Sequence, residues 1–164
     1  MASRTTATST ALTLNVALLR HGVDLLESLD DAHYKAIGPQ IRHGLDFYAC
    51  FLRGLPEGRI DYVHRERSAR VETDRRFALD ELLATIDALE AIDAEALVPT
   101  LDVRAEEGTD WAGSTPAREA QFLASHTIHH FAIVALLLRA DGMEPPEGLG
   151  VAPSTLRAWE TVES

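Results

Sequence analysis

Cysteine is almost missing from this chain of 164 residues. Cys50 stands alone, which excludes an internal disulfide and fits a reducing compartment, so a cytoplasmic location is expected. Lysine is equally scarce, with Lys35 the sole example, and the 15 basic residues face 26 acidic ones. The formal charge of −11 works against non-specific binding to nucleic acid or to an anionic membrane, so neither partner is expected. No uninterrupted apolar run reaches the roughly 18–20 residues of a membrane span. The longest, Phe131 to Leu138, is too short. Gly-rich phosphate loops, Cys-x-x-Cys pairs, Gly-x-Ser-x-Gly elbows and Glu-x-x-His signatures are all absent. Their absence argues against a P-loop NTPase, a dithiol oxidoreductase, a nucleophile-elbow hydrolase and a ferritin-like di-iron centre.

What the chain does contain is apolar periodicity, with 46% hydrophobic residues and 25% charged ones, the balance of a globular domain spanning 1–164. Leu12, Val16, Leu19, Val23 and Leu26 recur at three- and four-residue steps and predict a first helix over Thr10 to Leu29, after a frayed start over 1–9. Asp30 to Gly38 is polar and predicts a connection. Pro39 suits the first turn of a second helix, which carries Ile41, Leu45, Tyr48, Phe51 and Leu52 to about Gly54. The charged stretch Ile60 to Val71 shows no regular pattern. A third helix is expected from Thr73, as N-cap, to Ile92. Leu97 to Val103 tends towards alternation and, with Thr109-Asp110-Trp111, suggests a short β-hairpin. Thr115-Pro116 opens a last long helix that ends at Gly142, and the Pro- and Gly-rich remainder, 143–164, predicts an extended strap. The expected fold is therefore all-α, a four-helix bundle with a small hairpin before its last helix. A homodimer is expected if one face of the first or third helix stays apolar, unless Trp111 and Trp159 cover it.

The last helix holds the chemistry. His126 and His130 stand one turn apart on one face, flanked by Phe122 and Ile133, a spacing that lets two imidazoles grip one metal ion. Glu119 lies two turns upstream and about 20° off the His126 direction. His129 is rotated by about 100° from His130 and is expected to leave that face. Thr127 occupies the place where a zinc protease carries its catalytic Glu, which argues against that activity. A further ligand must come from a facing helix. His43, with Phe47 and Cys50 on its side of the second helix, is the best candidate, ahead of His21, His33 and His64. A buried Cys50 is expected to be a small core residue rather than a nucleophile.

These residues also carry a resemblance. A histidine on the second helix with a His-x-x-x-His on the last one resembles the DinB-like superfamily of metal-binding four-helix bundles. Similar too are Ile41 to Tyr48, Asp61-Tyr62 with Arg65-Glu66-Arg67, Glu72 to Arg75, Arg118-Glu119 with Ser125 to Phe131, and Gly150 to Leu156. The likeness covers roughly 10–156 of the chain. It implies a site of His43, His126 and His130 for a divalent metal, with zinc or nickel the foremost candidates. It also implies a small-molecule substrate and a low-molecular-weight thiol such as bacillithiol or mycothiol, used in transfer or isomerisation. Within that reading, Glu119 and Asp46 are the candidate acid–base groups, and Arg65 and Arg67 the candidate cofactor- or substrate-binding groups. The alternative is a non-catalytic, stress-related metal- or ligand-binding protein.

Overall fold

The computed structural model describes residues 4–162. Helix α1 spans Arg4–Ser28, α2 Asp31–Gly54, α3 Ala69–Thr73, α4 Arg75–Glu90, α5 Pro116–Ala140 and α6 Pro153–Val162. Strands β1 Arg59–Asp61, β2 Leu101–Arg104 and β3 Ala112–Ser114 form one sheet in that order, β1 parallel and β3 antiparallel to β2. The described chain is thus mainly helical, as its apolar stripes predict. Helices α1 and α2 each pack against both α4 and α5, which closes the four long helices into a ring. Leu19 and Leu26 of α1, Ile41 and Phe51 of α2, Leu82 and Ile86 of α4, and Leu123 and Val134 of α5 fill its interior. Burying each such side chain contributes about 1.5–3 kcal/mol.

One polar node sits inside this core. Asn15 of α1 is fully buried; its Nδ2 donates to the carbonyls of Ala11 and Ala120, both at 2.8 Å. Its Oδ1 accepts the Tyr48 hydroxyl of α2 at 2.6 Å. With that proton committed, the 2.8 Å contact between Tyr48 and Thr127 of α5 is donated by the threonine. Every group is satisfied, and three helices are fixed in one register.

The elements depart from the sequence reading at several places. Residues 4–9 are not frayed but form the first turns of α1, while the remainder of that predicted start, 1–3, lies outside the described residues. The segment Asp30 to Gly38 is not a connection. Asp30 caps α2 by accepting from the His33 amide, and Tyr34 and Ile37 are buried on the stripe that continues to Ile41. Pro39 therefore lies inside the helix. Its ring and the residue deprived of a partner, Lys35, are both on the exposed face, where the freed carbonyl is open to solvent. The irregular stretch contains β1 and α3, and Asp74 rather than Thr73 caps the following helix by accepting from the Phe77 amide. A hairpin forms as β2 and β3, but its second arm is Ala112–Ser114 rather than the expected Thr109-Asp110-Trp111. The strap is not extended throughout: it turns over 147–150 and becomes α6 from Pro153, and its last two residues, 163–164, lie outside the described ones. Helix α5 alone among the described helices is long and apolar enough by composition to cross a membrane, and it is the helix that α1 and α2 flank.

Two glycines allow close approach. A Cβ at Gly38 would lie 2.0 Å from the Glu72 carbonyl oxygen, so α3 crosses α2 there. One at Gly150 would lie 2.2 Å from the Ala132 nitrogen, which brings the tail onto α5. Gly44 is the opposite case: nothing lies within 4 Å of its would-be Cβ, and it lines a small apolar cavity of about 20 Å³. Gly44→Ala is expected to stabilise the fold by about 0.5–1 kcal/mol through helix propensity. Asn15→Ala, which strips the polar node of its centre, is expected to destabilise it by about 2–3 kcal/mol. Urea unfolding midpoints will show the two shifts in opposite directions.

Candidate metal centre

His43 comes from the middle of α2, and His126 and His130 from successive turns of α5. Because α2 packs on α5, the three rings meet: their ligand-capable atoms all lie within 4.8 Å of one another. Ring centroids are 5.1 Å apart for His43–His126, 4.5 Å for His43–His130 and 4.4 Å for His126–His130. All three side chains are half-buried. Burial, then the neighbouring imidazoles, with Arg65 as well in the case of His126, hold His126 and His130 down at about 4. Burial and the charges of Arg65 and Arg42 lower His43 as well. The rings are therefore neutral at pH 7, the form that carries a free lone pair for a cation.

Two observations show that the trio fits a metal. The Nε2 of His126 is buried with no hydrogen-bond partner, a costly arrangement unless something completes it. The Nδ1 of His130 lies 2.7 Å from Gln40 Oε1. An amide oxygen only accepts, so Nδ1 carries the proton and Nε2 carries the lone pair. A metal-ligating histidine characteristically holds its second nitrogen in this way. Among the described residues, no fourth His, Cys, Asp or Glu joins the group.

An aromatic wall borders the trio. Phe47 lies 4.2 Å and Phe122 5.5 Å from the His126 ring, centroid to centroid, and Tyr62 stacks on Phe47 at 5.2 Å. Arg65 lies over the Phe47 ring of this wall, its Cζ 4.9 Å from the centroid, and donates to the Tyr62 carbonyl at 2.9 Å. Arg67, exposed and with a φ of 51°, acts on His43 through its charge.

The two candidate acid–base groups are held by partners of their own. Glu119 is buried and accepts from the Tyr62 hydroxyl at 3.1 Å and from Ser114 Oγ at 2.5 Å. Burial and the Glu119 charge keep the Tyr62 phenol far above its ordinary range, so it remains a donor. Glu119 opens onto a cavity of about 210 Å³ that it shares with Tyr62, Ser114, Arg118 and Phe122, and whose lining includes none of the three histidines. Asp46 is bound by Arg42 at 3.0 Å, and Arg42 also reaches Glu72 at 2.8 Å. Cys50 is buried, and burial pushes its thiol up, as a core residue requires. The competing histidines stand elsewhere: His33 pairs with Asp30 and His64 with Asp61, while His21 is exposed on α1. His129 is exposed and meets only the edge of His130 within the cluster. Trp111 is occupied by the Arg59 and Arg104 guanidinium groups, at 3.7 Å and 5.2 Å, and Trp159 is 54% exposed.

Sequence reasoning overlooked Gln40 and gave Tyr62 no role in the site. Gln40 was findable, because it lies three residues before His43 on the same helical face. Tyr62 was hidden in a charged stretch with no periodicity. Comparison of the chain with family models, with curated proteins and with solved structures finds no match.

Gln40→Ala is expected to weaken metal binding roughly 10–100-fold with little loss of helix content, as read by competition with a chromogenic chelator. The metal-free fold is also expected to lose stability with acid. Unfolded imidazoles titrate near 6.5 and folded His126 and His130 near 4, so between those values the unfolded chain binds more protons. Stability is therefore full above the upper value and falls as pH drops towards the lower one. Urea unfolding over that range will show a shallower fall for His126→Asn than for the wild type.

Proposed function

We propose that this protein is a divalent-metal-dependent enzyme that uses a low-molecular-weight thiol on a small electrophile, either transferring the thiol to it or isomerising it with release of the thiol, and that it is a bundle of the DinB-like type. The observation that carries this reading is the three-imidazole set in which one buried nitrogen, His126 Nε2, has no partner and, among the described residues, no fourth protein ligand is at hand. Three protein ligands with a position left for a small molecule are the arrangement of catalytic rather than structural sites, and this favours an enzyme over a non-catalytic binding protein. A divalent ion held by neutral imidazoles supplies uncompensated positive charge that lowers the pKa of a thiol or water placed there. The chain's own residues do the rest. Gln40 fixes the tautomer and orientation of His130, and the Asn15–Tyr48–Thr127 node holds α2 and α5 in register behind the rings. Phe47, Phe122 and Tyr62 form an apolar wall that excludes water and seats the electrophile beside the thiol. The ring of four long helices and the His43, His126, His130 set support the DinB-like assignment.

The test is to titrate low-molecular-weight thiols, bacillithiol and mycothiol among them, into cobalt-substituted protein. A sulfur-to-cobalt charge-transfer band is expected for the wild type. His126→Ala will abolish the band while the far-UV helical spectrum survives. Stoichiometric cobalt without any thiol band overturns the thiol chemistry.

A further inference from the structure

The loop between β1 and α3 delivers one arginine to the metal centre in an incomplete state. Arg65 is half-buried and its Nε is buried with no hydrogen-bond partner. Its Nη1 is taken by the Tyr62 carbonyl, and its plane rides on Phe47, the ring that also packs on His126 and, at 5.0 Å, on His43. Nearby arginines have anionic partners: Arg42 has Asp46 and Glu72, Arg53 has Glu66, and Arg104 has Asp61. Among the described residues, no carboxylate pairs with Arg65. A guanidinium binds a carboxylate best through two parallel N–H groups on one edge, and with Nη1 engaged the edge formed by Nε and Nη2 is the one left for it. The surroundings favour an anion twice over. A divalent ion on three neutral imidazoles receives no negative charge from its ligands, and the aromatic wall lowers the local dielectric, which strengthens any charge-assisted bond.

We propose that Arg65 anchors the carboxylate of a small organic acid whose other functional group is bound at the three-histidine centre. This inference rests on the metal-dependent reading above and narrows its substrate class to molecules that carry a metal-donor group and a carboxylate together. Arg65 acts here as a binding residue; it has no part in holding the ion.

The experiment compares two thiols that each carry two methylenes between sulfur and the polar group, 3-mercaptopropionate and 2-mercaptoethanol, on the cobalt-loaded full chain, with malonate as a sulfur-free probe. Wild-type protein is expected to bind 3-mercaptopropionate about tenfold or more tightly than 2-mercaptoethanol, from the charge-assisted pair. Arg65→Gln will erase that preference and leave 2-mercaptoethanol binding and cobalt stoichiometry unchanged, while Arg65→Lys will keep part of it. Arg65→Met replaces Arg65→Gln if the latter fails to hold cobalt or loses the helical spectrum. A preference that persists in the neutral variant overturns the proposal. If neither thiol gives a charge-transfer band, malonate decides: a cobalt d–d shift lost in Arg65→Gln upholds the anchor and sinks only the thiol chemistry, whereas no shift, or one the variant retains, overturns the anchor too. Failure to take up cobalt at all overturns both readings.

Discussion

The register between α2 and α5 is the constraint from which the rest of the site follows. Neither helix alone can gather three imidazoles, because His43 belongs to one and His126 and His130 to the other. Apolar packing brings helices together but tolerates sliding, since leucines and isoleucines exchange neighbours at modest cost. The buried Asn15 carboxamide removes that freedom. It must satisfy two donors and an acceptor at once, through Ala11, Ala120 and Tyr48, and Tyr48 is held in turn by Thr127. Thr127 adjoins His126 in the chain, and Tyr48 lies just over one turn beyond His43, so the node sets the separation of the ligands directly.

Charge is distributed unevenly around this frame. The chain as a whole is strongly acidic, at −11, yet the groups that act on His43 and His126 include Arg42, Arg65 and Arg67. Two carboxylates close to the centre are already engaged, Asp46 with Arg42 and Glu119 with Tyr62 and Ser114. The positive potential near the imidazoles is thus local, set against the negative potential of the chain as a whole.

The features visible in the sequence are those that depend on neighbours along the chain. Leu12, Leu19 and Leu26, the Thr115-Pro116 start of α5 and the His126–His130 pair are all short-range patterns, and each appears where its spacing puts it. The placement of His43 was legible because an imidazole in the middle of an apolar helix has few other uses. What stayed hidden depends on distant partners. Pro39 gave a false start to α2, because its tolerance inside the helix rests on which face is exposed. The pairing of Ile60 with Val103 in parallel strands leaves no local trace in either segment. Asn15, which in the sequence only interrupts an apolar stretch, acquires its meaning from Tyr48 and Ala120.

The loop that carries Arg65 has a mechanical consequence of its own. One end continues β1, whose carbonyls and amides are tied to β2, and the other enters α3, whose Glu72 carbonyl is pressed against Gly38. The loop is thus a short bridge between two fixed piers, and neither pier contains a metal ligand. Exposed residues along it, such as Glu66 and Arg67, can change in size and charge without moving His43, His126 or His130. A lineage built on this scaffold can rewrite those few bridge residues while the three-imidazole frame and the core that steadies it are inherited intact.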